Sequence, residues 1–113
     1  MLKRREIPDC PFEISLMLMG DRLKAIIVYE LLSGTKRFTE LKKSISENAV
    51  SGISQKVLTD HLRIMEEHEL VRREVFAEIP PRVEYSLTEF GQGLRPIIEG
   101  LWNWGENYKN SHI

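Results

Sequence analysis

Gly52-Ile53-Ser54-Gln55-Lys56-Val57-Leu58-Thr59-Asp60-His61-Leu62-Arg63-Ile64-Met65 is followed, after Leu70, by Val71-Arg72-Arg73-Glu74-Val75-Phe76-Ala77. The first run has a helical period and the second a period of two, and the fold turns on that change. Ser54 is a good helix cap, and the helix it opens should run from Gln55 to about His68. Val57, Leu58, Leu62 and Met65 form an apolar stripe, while Gln55, Lys56, Thr59, Asp60 and Arg63 form a polar one. From Val71 the alternation predicts a strand, and Val83, Tyr85 and Leu87 alternate with Arg82, Glu84 and Ser86 in a second. Glu78-Ile79-Pro80-Pro81 lies between them, and two prolines cannot donate to a ladder, so this is a loop joining antiparallel strands.

Working outward, Asp9-Cys10-Pro11 reads as a helix start, with proline at the first helical position, and that helix should end at Gly20. Asp21 then caps a second helix to about Ser33, stopped by Gly34. Its Leu23, Ile26, Ile27 and Leu31 share one face. Thr39 is expected to cap a short third helix carrying Leu41 and Ile45, with Phe38 packed before it. Ser46 to Gly52 reads as a polar turn. Beyond Thr88, which caps the last helical region, Leu94, Ile97, Leu101, Trp104 and Tyr108 are spaced 3, 4, 3, 4, with Ile98 and Trp102 beside them. The order is helix, helix, short helix, polar-faced helix, hairpin, helix. The fold class is therefore mainly α with a β-hairpin, in a winged helix-turn-helix arrangement.

The length of 113 residues predicts one domain spanning 1–113. Leu, Ile, Val and Phe make up 34 residues, about 30 %, well above the roughly 20 % below which chains stay disordered. The single cysteine, Cys10, cannot form an intramolecular bridge and suits a reducing compartment. No apolar run is long enough for a membrane span or a secretory signal, so a cytoplasmic domain without a membrane partner is expected. The net charge of −1 points to no acidic partner, so any case for nucleic acid rests on local arrangement.

That local case is strongest at the helix from Ser54. A recognition helix packs one face on its domain and turns the other, N-terminal residues foremost, to the major groove. Gln55 suits adenine, Lys56 and Arg63 suit guanine or phosphate, and the hydroxyls of Ser54 and Thr59 suit phosphate. Any amphipathic surface helix also has a solvated face, so both readings stand at this point. Lys36-Arg37 before the third helix and Lys42-Lys43 within it can touch the DNA backbone, or can serve solubility beside Glu40 and Glu47. Arg82, after the proline pair, can enter a minor groove or be an ordinary exposed turn residue.

Other chemistries have little support. His61 and His68 stand seven residues apart, roughly 10.5 Å along a helix axis, too far to share a metal. There is no glycine-rich phosphate loop and no nucleophile with a base, so no catalytic residue, metal or cofactor is assigned. Cys10 would sit at a helix N-terminus, where the dipole favours thiolate, or be a half-buried small hydrophobe. Trp102, Trp104 and Tyr108 within seven residues give the last helix aromatic surface suited to a second subunit, with packing on its own domain as the other reading.

Read together, Cys10-Pro11, Arg37-Phe38-Thr39-Glu40-Leu41, Gly52-Ile53-Ser54-Gln55-Lys56-Val57-Leu58-Thr59, Pro80-Pro81-Arg82-Val83-Glu84-Tyr85-Ser86-Leu87-Thr88 and Trp104-Gly105 resemble the HxlR-type transcriptional regulators, a bacterial winged-helix group related to the MarR regulators. The resemblance covers nearly the whole chain. It departs at Leu23, where the family usually has Trp, and at Ser46 to Ser51, several residues longer than the usual turn. It implies a homodimer whose N- and C-terminal helices form the interface, with Leu101, Trp102, Trp104 and Tyr108 in it. It also implies that Cys10 holds the position of the family's N-terminal cysteine, which in some members senses oxidants or electrophiles. The expected function is sequence-specific binding of double-stranded operator DNA through Lys36, Arg37, Ser54, Gln55, Lys56, Thr59, Arg63 and Arg82. The competing reading is a winged-helix protein-interaction module that does not touch DNA.

Overall fold

The computed structural model describes residues 7–113. Helix α1 (Pro11–Met19) starts from Cys10 at its N-cap with proline in its first turn, and none of its residues is buried. In α2 (Arg22–Leu31) the Asp21 carboxylate accepts the Lys24 N–H at 3.0 Å, so the expected cap is present. Its buried face is Leu23, Ile27, Val28 and Leu31, with Glu30 beside them.

The next element departs from expectation. Lys36–Arg37 forms a short strand, β1, and α3 (Phe38–Asn48) follows it directly. Arg37, not Thr39, is the N-cap: the Glu40 carboxylate reaches back to accept the Arg37 N–H at 2.8 Å. Pairing with a strand holds Arg37 extended, and the helix can only begin at the next residue. At its other end α3 runs on to Asn48, so Ser46, Glu47 and Asn48 belong to a helix rather than to a turn. The added sequence is helical extension plus a short loop. That loop closes with Gly52 at φ +71°, a left-handed conformation costly for any residue with a Cβ, and the Gly52 N–H donates to Ser46 Oγ at 3.2 Å.

Helix α4 (Gln55–Glu67) is capped by Ser54, whose side chain accepts the Val57 N–H at 3.1 Å. The hairpin is β2 (Val71–Phe76) and β3 (Arg82–Leu87), joined through a cis Ile79–Pro80 bond. β3 lies in the middle of an antiparallel sheet of order β1-β3-β2, with Val71 opposite Leu87, Arg73 opposite Tyr85 and Lys36 opposite Tyr85 on the other side. The third strand was not legible because two residues show no periodicity.

The last helical region is divided into α5 (Glu89–Gln92) and α6 (Arg95–His112). Pro96 explains the break: its ring would meet the carbonyl of Gln92, and it has no N–H to offer that carbonyl. In α5, Gly91 lies so close to the chain that a Cβ there would be 2.2 Å from the Leu70 carbonyl oxygen. The core gathers Ile27, Val28 and Leu31, Leu41 and Ile45, and Leu58, Leu62 and Met65 around Val71, Tyr85 and Leu87. Of α6, Ile98 alone is buried.

Candidate nucleic-acid interface

Helix α4 buries Leu58, Leu62 and Met65 almost completely. Burying those three turns Gln55, Lys56 and Arg63 to solvent, with Thr59 and Asp60 half-buried on the same side. Lys56 and Asp60, one turn apart, form an ion pair at 2.9 Å, and that bond holds the Asp60 carboxyl below its usual range. Val57 is a correction. It does not join the apolar face but is 44 % exposed, because it lies about 100° round the helix from Leu58. An exposed valine near the helix start is the kind of group that packs on a thymine methyl. The signal was present in the spacing, since a stripe through 58, 62 and 65 leaves 57 outside it.

His61 ties α4 to α2. Its Nδ1 lies 2.9 Å from the Val57 carbonyl and its Nε2 lies 3.2 Å from Asp21 Oδ2. A carbonyl and a carboxylate only accept, so both bonds are made together only by a ring protonated at both nitrogens. On Asp21, partial burial acts upward, but the Lys24 N–H and the His61 ring outweigh it and hold the carboxyl below its usual range. The same carboxylate thus caps α2 and fastens α4.

The wing meets α4 along β2. Thr59 and Arg63 share a cleft of about 300 Å³ with Arg73 and Tyr85. Arg73 was missed by sequence reasoning, although it has the parity of Val71 and so lies on the side of β2 turned to α4. A second group forms at the hairpin loop, where Arg37 and Arg82 line one cleft. Arg82 is held there by Glu78 at 2.6 Å and Glu84 at 3.0 Å, with its guanidinium 4.1 Å from the centre of the Phe76 ring. Two carboxylates therefore offset its charge. Lys36 is not with Arg37. Successive strand residues point to opposite faces, and Lys36 lines a cleft with Tyr29, Ser44 and Trp102 instead.

The expected interface aromatics also divide. Leu101, Trp104 and Tyr108 fall on one stripe of α6 with Ile97, all four exposed, and Trp104 stacks on Tyr108 at 5.4 Å. Trp102, 55 % exposed, lies off that stripe and stacks on Tyr29 of α2 at 5.3 Å with the rings nearly parallel. Cys10 is exposed, and its side chain makes no capping bond. Among the described residues no cluster of three or more His, Cys, Asp and Glu is placed to hold a metal, and no helix is long and apolar enough to cross a membrane.

Comparison with known proteins agrees with this fold. The HTH-type transcriptional regulator YdeP of Bacillus subtilis (strain 168) is 44 % identical over 105 residues, 93 % of this chain and 78 % of YdeP. The redox regulator HypR in its reduced form superposes with a TM-score of 0.81 at 39 % identity, covering 90 % of this chain and 96 % of HypR. The reduced form of the transcriptional regulator YodB from Bacillus subtilis gives 0.71 at 31 %, covering 96 % and 95 %. The model of the HxlR-like helix-turn-helix family matches residues 18–113, and this winged-helix chain belongs to that family.

Proposed function

We propose that this chain is a transcriptional regulator that binds double-stranded operator DNA sequence-specifically as a homodimer. One observation carries the reading. α4 buries Leu58, Leu62 and Met65 and thereby turns Gln55, Lys56 and Arg63 to solvent, with Thr59 and Arg63 sharing a cleft with Arg73 of the wing. In this reading Gln55, Arg63 and Val57 meet base edges, while Ser54, Lys56, Thr59, Arg37 and Arg73 meet the backbone. Arg82, held by Glu78 and Glu84, shapes the wing. The exposed stripe of Ile97, Leu101, Trp104 and Tyr108 supports pairing of two copies through α6, with two α4 helices about 34 Å apart on a near-palindromic site.

Duplex binding measured across salt concentration tests this against the protein-interaction reading. A DNA-binding dimer loses affinity steeply with salt, by about 0.9 in log–log slope for each phosphate neutralised. A flat, weak response across selected duplexes would favour the protein-interaction module.

A thiol response at Cys10 is a second reading, supported by its exposure at the α1 N-cap and by the likeness to HypR, which is named a redox regulator. Treatment with an oxidant is expected to change the DNA affinity of the wild type and to leave that of Cys10→Ser unchanged. An equal response of the two counts against the reading.

A further inference from the structure

Helix α4 is seated on the domain by Leu58, Leu62 and Met65, all almost fully buried. Apolar contact is non-directional, so it decides which side of α4 faces inward more strictly than how far the helix is rotated about its axis. A directional contact comes from His61, which borders the buried stripe about 40° round the helix from Met65. Its Nδ1 meets the Val57 carbonyl and its Nε2 meets Asp21 Oδ2 at the start of α2. The other Asp21 oxygen accepts the Lys24 N–H, so the group that receives His61 is itself fixed. Gln55 and Val57, both assigned to base edges, stand in the turn whose carbonyl the ring binds.

This tie depends on protonation. Both partners only accept, and a neutral imidazole has one N–H. A neutral ring satisfies either the Val57 carbonyl or Asp21, and turns a lone pair on the other. Neighbouring charges do not take the place of Asp21. On α2, Arg22 donates to the Ala49 carbonyl at 3.2 Å and Lys24 to the Met17 carbonyl at 3.3 Å. On α4, Asp60 also attracts the ring but is paired with Lys56, and Arg63 lies about 160° round the helix. On β2, Arg73 lies in the cleft of Arg63. Asp21 stays ionised across the histidine range, since its carboxyl lies below the usual value.

We propose that His61 is a positioning residue for DNA recognition: its doubly protonated ring, acting through Asp21, holds the first turns of α4 in the orientation that meets the major groove, and operator binding strengthens as pH falls. This role rests on the reading of α4 as the base-contacting helix. DNA selects the tied orientation, so whatever lowers the population of that orientation weakens the apparent affinity in proportion. A neutral ring lowers it, and binding takes up a proton.

The test measures affinity of the full chain for a duplex obtained by sequence selection, at fixed salt, from about pH 8 to about pH 6, which spans the ordinary histidine value near 6.5. Wild type should bind about threefold more tightly at the lower end for each α4 engaged, the scale of a partly exposed ion pair. Asp21→Asn keeps an oxygen to cap α2 but offers the ring an N–H, which only a neutral imidazole accepts, so its gain on acidification should vanish or reverse. His61→Gln, which does not ionise, should show no gain, and His68→Gln should keep the wild-type gain. A gain that survives in Asp21→Asn would mean that the ring acts on phosphate directly and would overturn the proposal. So would a gain that survives in His61→Gln, is lost in His68→Gln or is absent from the wild type. A chain that binds no duplex at any pH would instead overturn the reading of α4, and the role of His61 with it.

Discussion

The winged core and the terminal helices use their apolar residues in opposite ways. In α2, α3 and α4 the large aliphatic side chains Ile27, Leu31, Leu41, Ile45, Leu58 and Leu62 are all but invisible to solvent. In α1 no residue is buried, and in α6 only Ile98 is, although Phe12, Leu16, Ile97, Leu101, Trp104 and Tyr108 are as apolar as anything in the core. The first region is closed by its own contacts. The second has a face that nothing among the described residues covers. Exposed apolar patches of this kind mark interaction surfaces, so the difference separates what makes the fold from what is free to meet a partner.

Substitution can break that comparison. Leu62→Ala is expected to cost roughly 2–5 kcal/mol in unfolding, because it leaves a cavity in a packed site. Leu101→Ala with Trp104→Ala should instead leave the winged core folded and lower the dimer fraction in sedimentation at micromolar concentration. If the pair destabilised the monomer as much as Leu62→Ala, α6 would be part of the core and the contrast would be lost. At a smaller scale, Ser54→Ala removes the acceptor of the Val57 N–H and should cost about 1 kcal/mol by thermal melting, with DNA affinity falling as the start of α4 frays.

The smallest effect expected is at His68, the C-cap of α4. Burial, with Lys24 nearby, lowers its pKa against a weaker opposing pull from Glu67. A lowered histidine pKa means that the unfolded chain binds the proton first. Stability should therefore fall as pH drops below about 6.5 and continue to fall through the folded-state value. Comparing wild type with His68→Gln isolates this contribution, and an identical pH slope in the two would show that His68 does not supply it.

Much of this was legible because the chain writes its periods plainly. The stripe of Leu58, Leu62 and Met65, the caps Asp21 and Ser54, and the alternation about Pro80-Pro81 each have one physical reading, and the structure has those elements. What escaped is what depends on contacts distant in sequence. β1 exists only because β3 pairs with it, and that pairing moves the start of α3 to Phe38 and separates Lys36 from Arg37. Trp102 lies about 160° of helical rotation from Trp104 and stacks on Tyr29, a contact that the spacing alone does not show. Arg73 joined the α4 group only once the wing folded back. The ion pairs of Arg82 with Glu78 and Glu84 were likewise invisible, since the loop conformation makes them.

The central claim is that α4, not the wing loop, reads the bases. Sequence selection from random duplexes with wild type, Gln55→Ala, Arg63→Ala and Arg82→Ala tests it most directly. Gln55→Ala and Arg63→Ala should each change the preferred sequence, with a loss of roughly 1–3 kcal/mol on the wild-type site. Arg82→Ala should weaken all sequences alike and leave the preference intact. If the first two kept the wild-type preference and only Arg82→Ala altered it, the wing loop would be the reader and the account would be contradicted.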